Sequence, residues 1–264
     1  MISFNKRWLN YIEKKEIPYK IIDFNSHDII GQLHDCDALL WHFHQGNPKE
    51  ILFAKQLLYS LQIQGKKVFP DFYTVWHFDD KVGQKYLLEA INAPLVPTWI
   101  FYDKKEALQW IKGTDLPKVF KLRVGAGSQN VLLVNSRSKA RRLINKAFGR
   151  GFPAYNAKSS LRDRWRRYKL KETNFFDLVK GIVRFVIPPK YSQISGQEKG
   201  YIYFQEYIKG NDHDIRIVVI GDRAFALKRM VRDNDFRASG SGHILYDRIL
   251  SVSYTHLTLP TNRE

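Results

Sequence analysis

The sequence predicts an α/β protein, with a small parallel-strand domain over residues 1–78 and a larger mixed domain over residues 79–250. Strand-like and helix-like stretches alternate through the first part, which is typical of parallel strands joined by crossover helices. Later stretches alternate apolar and polar residues with period two, which indicates strands. Hydrophobic residues make up 44% of the 264 residues and aromatic residues 14%, so buried cores can form and wholesale disorder is excluded.

Local patterns place the elements of the first domain. Phe4, Trp8 and Ile12 recur at helical spacing. Pro48 suits the first turn of a helix, and Gly65 suits the position after its end. The predicted order is a helix over 4–16, a strand over 19–23, a short helix to 33, a buried strand over 37–43, a helix over 48–64 and a strand over 67–69.

The second domain is placed in the same way. Pro94 and Pro97 bracket a linker after its first helix, and Gly221-Asp222 is typical of a tight hairpin turn. The predicted order is a helix over 81–92, a strand over 98–101, a helix over 106–112, strands over 118–122 and 130–134, a helix over 138–148, and strands over 201–208, 214–220 and 223–229. Residues 150–200 form a basic insert with weak periodicity.

The charge of the chain favours anionic partners. Lysine and arginine number 43 against 26 acidic residues, a net charge of +17. Residues 150–200 hold twelve basic and four acidic residues, a net charge of +8. Within residues 158–171 aromatic and basic residues interleave, as on surfaces that bind an anionic macromolecule or membrane. A solvated basic helix or a mobile loop is the alternative.

Several classes of protein are excluded. A single cysteine, Cys36, rules out an internal disulfide and a cysteine-rich zinc site, and predicts a reducing, cytoplasmic location. No apolar run reaches the length of about 18 residues that a membrane span needs, so no transmembrane segment is expected. The first residues lack the apolar segment of a secretory signal.

One segment has the residue types of a phosphate site. Lys121 ends a predicted strand and is followed by Arg123-Val124-Gly125-Ala126-Gly127-Ser128. Glycine lets a backbone approach an anion, and successive backbone N–H groups form a concavity that binds phosphate. The spacing is not that of a Walker loop. An ordinary glycine-rich hairpin is the alternative for this segment alone.

Two later segments are also polar where strands end. Gln205-Glu206 interrupts an apolar strand, and the exposed backbone there could contact an adenine edge; a half-exposed edge strand is the alternative. Arg229, Arg232 and Arg237 adjoin a Gly/Ser loop, and arginine suits bidentate contact with carboxylate and phosphate oxygens. A solvated basic loop is the alternative here.

Taken in order, these segments resemble the ATP-grasp family, most closely its RimK-type and glutathione-synthetase-like ligases. Asp79-Asp80-Lys81 and Pro94-Leu95-Val96-Pro97-Thr98 resemble the entry to the ATP-grasp domain. The resemblance covers about residues 71–243, and the preceding residues are similar to the smaller domain that comes before it. It implies an incomplete two-subdomain ATP-grasp fold, with a lid over about 97–200 and a C-terminal subdomain from 201.

The resemblance implies ATP-dependent joining of a small carboxylate to an amine. ATP phosphorylates the carboxylate, and the amine then displaces phosphate from the acylphosphate. Mg²⁺ and cationic side chains stabilise the charge on the transferring phosphoryl group. The implied nucleotide-binding residues are Lys81, Lys121, Gly125, Gly127, Ser128, Gln205, Glu206, Tyr207, Ile208 and Asp214, with residues 206–208 facing adenine and Asp214 the ribose. The implied catalytic residues are Arg229 and Arg237, which would face the γ-phosphate and the acylphosphate.

The sequence departs from the family pattern at its end. The family's magnesium ligands, an Asp and then a Glu-x-Asn, do not follow Gly242, so metal ligands are expected beyond residue 250. Residues 251–264 resemble a translated sequencing adaptor and are predicted to be a non-native tail. We therefore expect this chain to bind ATP weakly without catalysis, and the full natural protein to be the enzyme. The alternative is a basic, non-catalytic protein that binds nucleic acid or anionic glycan on an ATP-grasp scaffold.

Overall fold

A computed structural model describes residues 4–44, 47–125, 130–153, 157–169, 173–187, 192, 196–220, 223–232, 235–238 and 243–246. The helices are α1 (Phe4–Lys14), α2 (Ile29–Gln32), α3 (Pro48–Ile63), α4 (Phe72–Val75), α5 (Lys81–Ala90), α6 (Lys104–Gly113), α7 (Arg137–Ala147), α8 (Ala157–Lys169) and α9 (Phe175–Val183). The strands are β1 (Ala38–Leu40), β2 (Lys67–Phe69), β3 (Thr98–Phe101), β4 (Lys118–Lys121), β5 (Leu132–Val134), β6 (Phe152–Pro153), β7 (Gln197–Glu198), β8 (Ile202–Glu206), β9 (His213–Ile220), β10 (Arg223–Met230) and β11 (Ile244–Leu245). This mixture of helices and strands confirms the predicted α/β class.

The first part of the chain contains the predicted parallel pair. β1 and β2 run parallel, and α3 connects them along the chain. The Asn47 side chain accepts a hydrogen bond from the Lys49 N–H and caps α3, and Gly65 follows its end with φ +85°. Leu58 and Leu61 of α3 are fully buried in a core that also includes Trp41.

The strand predicted over residues 19–23 is absent, and the chain there is irregular. A polar side chain, and not a neighbouring strand, accepts a backbone hydrogen bond here: the Asp23 N–H donates to Gln32 Oε1 over 2.9 Å. Lys20 forms an ion pair with Asp35. Ile21 is 79% exposed, whereas Ile22 is partly buried against the first core.

A four-stranded sheet in the order β3-β8-β4-β5 forms the centre of the second part, and every neighbouring pair is antiparallel. α6 and α7 cover one face, where Ile111, Ile144 and Phe204 are fully buried. Because β8 lies between β3 and β4, this sheet extends past residue 201 to Glu206.

Period-two alternation gives the central sheet two different faces. Phe120 is the register partner of Phe204, and both belong to the core beneath α6 and α7. Lys121 is the register partner of Tyr203, one position further along, and therefore lies on the opposite face. Gln205, two residues beyond Tyr203, shares that face. We call it the polar face.

The C-terminal strands form a separate antiparallel sheet in the order β11-β10-β9. Arg223 pairs with Ile220, so β9 and β10 are neighbours in the predicted hairpin. The turn residues 221 and 222 lie outside the described residues.

The basic insert forms more regular structure than its weak periodicity predicts. It contains α8, α9 and the short antiparallel pair β6–β7. α9 begins at Asn174, whose side chain accepts a hydrogen bond from the Asp177 N–H. No helix among the described residues has the length and apolar composition needed to cross a membrane.

Candidate functional site

Two predicted lysines meet at the start of the glycine loop. Lys121 ends β4 on the polar face, and its Nζ donates to Gln205 Oε1 over 2.5 Å. Lys81 is the first residue of α5, and its Nζ donates to the carbonyl oxygen of Gly125 over 3.0 Å. In the described part of the chain, neither ammonium group forms an ion pair with a carboxylate.

The N-terminus of α5 is attached to the end of β4 by several bonds. The Lys81 N–H donates to the Arg123 carbonyl oxygen over 2.9 Å. Asp80 caps α5 by accepting from the N–H groups of Val82 and Gly83. Its other carboxylate oxygen accepts from the Arg123 guanidinium at 2.6 and 2.9 Å. These bonds fix the positions from which Lys81 and Lys121 extend.

The charge of Lys81 perturbs Lys121. Burial, and then the nearby Lys81 charge, lower the pKa of Lys121 to about 8. Burial also lowers the pKa of Lys81, although Asp79, Asp80 and Glu198 oppose that shift. Two partly buried ammonium groups close enough to repel one another make a site that an anion would stabilise.

The loop after Lys121 begins with a backbone shape that suits glycine. Gly125 has φ +119°, and its N–H donates to Asp79 Oδ2 over 3.4 Å. Gly127 and Ser128 lie outside the described residues, so their predicted contacts with phosphates stay predictions. Asn130, where the description resumes, also has a positive φ, +60°.

Gln205 and Glu206 are adjacent in sequence, but their side chains bind different partners. The Gln205 amide lies between Lys121 and Thr98, and its Nε2 donates to Thr98 Oγ1 over 2.9 Å. Glu206 instead binds Lys118 at 2.8 and 3.0 Å, and the Lys118 side chain is almost fully buried. The Glu206 side chain is thus held by a structural ion pair away from the two site lysines, and only its backbone suits the predicted adenine contact.

We call residues 206–208, the segment predicted to face adenine, the hinge; it continues past the end of β8. The Glu206 N–H donates to the Pro97 carbonyl oxygen over 2.8 Å, which leaves Tyr207 and Ile208 beyond the sheet. Ile208 is 54% exposed. The Tyr207 ring contacts Phe236 edge-on with centroids 6.0 Å apart, which joins the hinge to the loop that carries Arg237.

The predicted catalytic arginines are both held by carboxylates. Arg229 binds Asp214 through two hydrogen bonds of 2.7 Å, across the register pair of β9 and β10. Arg237 binds Asp235 at distances of 2.5 to 2.9 Å. The known contacts of the described residues form two groups: the lysines with Gln205 and Gly125, and the arginine–aspartate pairs. The roles proposed for Asp214, Arg229 and Arg237 toward a nucleotide stay predictions.

Several contributors to the site were not predicted. Thr98 and Tyr203 share the polar face with Lys121 and Gln205, and Arg123 fixes Asp80. The period-two alternation of β8 could have placed Tyr203 beside Gln205, because both lie an odd number of residues from buried Phe204. Arg123 and Asp80 are 43 residues apart in the sequence, and no local sequence pattern indicates that they contact each other.

The described residues do not supply a magnesium site. Magnesium prefers several oxygen ligands in near-octahedral geometry. Across the described ranges no group of three or more histidine, cysteine or acidic side chains could hold a metal ion. Asp214 and Asp235, the acidic residues nearest the arginines, are already bound to Arg229 and Arg237.

Comparisons with solved structures give loose likenesses. The chain is similar to a RimK domain ATP-grasp protein from Sphaerobacter thermophilus, with 15% identity, a TM-score of 0.41, and 74% of this chain and 55% of that chain covered. It is similar to the carboxyaminoimidazole ribonucleotide synthase of Aspergillus clavatus, solved with ATP, at 11% identity, TM-score 0.43 and coverages of 84% and 46%. A third is the D-alanyl-alanine synthetase A of Vibrio cholerae, at 10% identity, TM-score 0.40 and coverages of 75% and 46%.

The first of these three proteins is an ATP-grasp protein. The chain spans about half the length of each of them. No protein-family model and no curated protein sequence matches the chain. All three TM-scores lie below 0.5, so these likenesses assign no function to the chain.

Proposed function

We propose that this chain carries the nucleotide-binding part of an ATP-dependent ligase, and that the full natural protein joins a small carboxylate to an amine. The observation that supports this is the pair of partly buried ammonium groups, Lys81 and Lys121, at the start of a loop with a glycine-type backbone. Such a pair is costly to bury without a counter-charge, and the triphosphate of ATP would supply one.

In this proposal, different residues of the chain contact different parts of ATP. Lys81 and Lys121 would donate to phosphate oxygens, and the loop from Gly125 would cover them. Gln205 would hold the Lys121 ammonium in position through its side-chain oxygen, and the backbone of Tyr207 and Ile208 would contact the adenine. Mg²⁺ is implied by the family resemblance, but the described residues do not fit it, and we derive no step through it.

The proposed reaction is the one that the family resemblance implies. A carboxylate oxygen attacks the γ-phosphorus of ATP, the bond to the β,γ-bridging oxygen breaks, and ADP leaves. The amine nitrogen then attacks the acyl carbon, and inorganic phosphate leaves as the amide forms. Arg229 and Arg237 are the proposed cationic side chains, and a bidentate pair with aspartate uses two of the five N–H donors of a guanidinium.

Titration calorimetry with ADP or ATP tests the binding step directly. Lys121→Met removes the charge but keeps most of the side-chain length, and we expect affinity to fall at least about tenfold, the loss of one charge-assisted contact. Lys112→Met is the matched control, because Lys112 is exposed on α6 and the one hydrogen bond of its ammonium group among the described residues goes to Gln109. It should bind nucleotide as the unchanged chain does.

Two outcomes would contradict the proposal: no nucleotide binding by the unchanged chain, or equal affinity in the Lys121 and Lys112 variants. The alternative function, binding of nucleic acid or anionic glycan on the same scaffold, is favoured by the basic and aromatic helix α8. Under that alternative, charge reversal in α8 abolishes macromolecule binding and Lys121→Met has no effect on it.

A further inference from the structure

The helices α8 and α9 form a hairpin whose two members differ sharply in character. α8 holds six basic residues and one acidic residue in thirteen positions, whereas α9 reads Phe-Phe-Asp-Leu-Val-Lys-Gly-Ile-Val. One stripe of α9 packs on α8: Leu178 and Gly181 are buried, and a Cβ at Gly181 would lie 2.9 Å from Arg164 Cδ. A side chain larger than hydrogen would therefore require Arg164 or Leu161 of α8 to move.

Most of the remaining surface of α9 is apolar and open to solvent, and Lys180 is its exposed basic residue. A large exposed apolar patch marks an interaction surface. Val186, just after the helix, is 83% exposed and Phe176 is 73% exposed. The exposed apolar residues of this segment are Phe175, Phe176, Val179, Ile182, Val183, Phe185, Val186 and Ile187.

Basic and aromatic side chains border this apolar surface. Trp165 and Tyr168 are 51% and 38% exposed on α8, and the Tyr168 ring reaches Phe175 with centroids 6.4 Å apart. Lys169 Nζ lies 5.5 Å from the centre of the Trp165 ring. The one acidic residue of α9, Asp177, is bound by the guanidinium of Arg164. The hairpin therefore carries an excess of positive charge beside its apolar surface.

We propose that the α8–α9 hairpin binds the surface of an anionic lipid membrane, with α9 inserted among the lipid headgroups and α8 above it. Interfacial helices combine an apolar face with lysine and arginine, and tryptophan and tyrosine lie between the two environments. A nucleic acid would match the charge of α8 but would leave the apolar surface of α9 exposed. A second copy of this chain would cover that surface but would bring two strongly basic helices together.

Co-sedimentation with lipid vesicles tests the proposal. We expect the chain to sediment with phosphatidylcholine vesicles that contain about a third phosphatidylserine, and to bind vesicles of phosphatidylcholine alone at least about tenfold more weakly. High salt should reduce the difference, because it screens the attraction of basic residues to the anionic surface.

Two pairs of variants separate the apolar and charged contributions. Phe176→Asp with Val186→Asp removes apolar contact at exposed positions, and its control is Ile21→Asp with Ile63→Asp, at positions that are 79% and 71% exposed. Arg162→Glu with Lys169→Glu removes basic charge from α8. Its control is Arg141→Glu with Arg142→Glu on α7, which changes the net charge equally.

Loss of vesicle binding in both hairpin variants, with both controls unaffected, supports the proposal. Failure to sediment with anionic vesicles overturns it, and so does equal binding to neutral vesicles. Binding that only the charge variant weakens indicates a polyanion such as nucleic acid, and also overturns it. A dimer in light scattering that the apolar variant alone dissociates, without vesicle binding, assigns the surface to a second copy instead.

Discussion

At the scale of single residues, burial and a neighbouring charge both change the protonation of Lys121, the residue proposed to bind phosphate. Its pKa lies at about 8 in place of 10.5, because burial and the Lys81 charge disfavour the ammonium form. Between those two values the unfolded chain binds more protons than the folded chain, so this lysine contributes increasing stability as the pH rises from about 8 to 10.5. Below pH 8 the charged form of Lys121 lowers the free energy of unfolding, and a bound anion would reduce this loss.

Nucleotide binding should therefore weaken above pH 8. A phosphate raises the pKa of a neighbouring lysine, so above about pH 8 binding must be accompanied by proton uptake, and affinity should fall by up to about tenfold per pH unit. ADP titrations from neutral pH to about pH 9.5 measure this slope. Lys121→Arg keeps its charge across that range and should give a shallower slope. An affinity that stays constant with pH in the unchanged chain would contradict the assignment of Lys121 to the phosphates.

Candidate site residues could be predicted from the sequence better than the residues that they contact. Lys121 was predicted because a lysine before a glycine loop has an unusual local pattern. The ion pair of Glu206 with Lys118 was not, because these residues are 88 positions apart and meet only through the register of β8 with β4. Pairs that a sheet creates have no signature in either segment alone.

At the scale of elements, the N-terminus of α5 links helix capping to the site. Asp80 is buried and caps α5, and it also binds the Arg123 side chain. Burial alone would raise its pKa, but the Arg123 guanidinium and the Gly83 N–H outweigh burial and lower it. Loss of Asp80 should therefore affect both the free energy of unfolding and the position of Lys81.

Two substitutions at Asp80 separate these effects. Asp80→Asn keeps a capping oxygen and removes the charge, whereas Asp80→Ala removes both. We expect Asp80→Ala to lower the free energy of unfolding by about 1 kcal/mol more than Asp80→Asn, the usual value of an N-cap. The ion pair with half-exposed Arg123 should add no more than about 1 kcal/mol. Urea unfolding gives the two values, and equal values would show that Asp80 does not act as a cap.

Element prediction succeeded where sequence pattern and backbone chemistry agree. α3 begins at Pro48 and ends just before Gly65, as predicted, and β3 has the predicted bounds. The strand predicted over residues 19–23 was wrong, because Tyr-Lys-Ile-Ile-Asp has strand-like composition but no neighbouring strand to pair with. A solvated basic helix was one of the alternatives for the region of α8, whereas α9 was not predicted.

At the scale of the whole molecule, the described residues form two hydrophobic cores that share no residue. One contains Leu58 and Trp41, and the other contains Phe120 and Phe204. Both lysines of the candidate site belong to elements of the second part, α5 and β4. The boundary near residue 78 stays a prediction, and the residues of the two cores lie on opposite sides of it in the sequence. A ligand at the site should therefore stabilise the part that contains the second core and leave the stability of the first core unchanged.

Thermal unfolding should show this separation as two transitions. At about a hundred times its dissociation constant, ADP stabilises the part that binds it by about 2.7 kcal/mol, so one transition should move to higher temperature. Leu58→Ala, which removes a fully buried side chain at a cost of about 2–5 kcal/mol, should lower the other transition and leave ADP affinity unchanged. Ile144→Ala, its counterpart beneath the central sheet, should lower the transition that ADP raises. Scanning calorimetry with and without ADP distinguishes these cases. A single transition that both substitutions lower and ADP raises would mean that the two cores unfold as one unit, and that the predicted boundary has no energetic meaning.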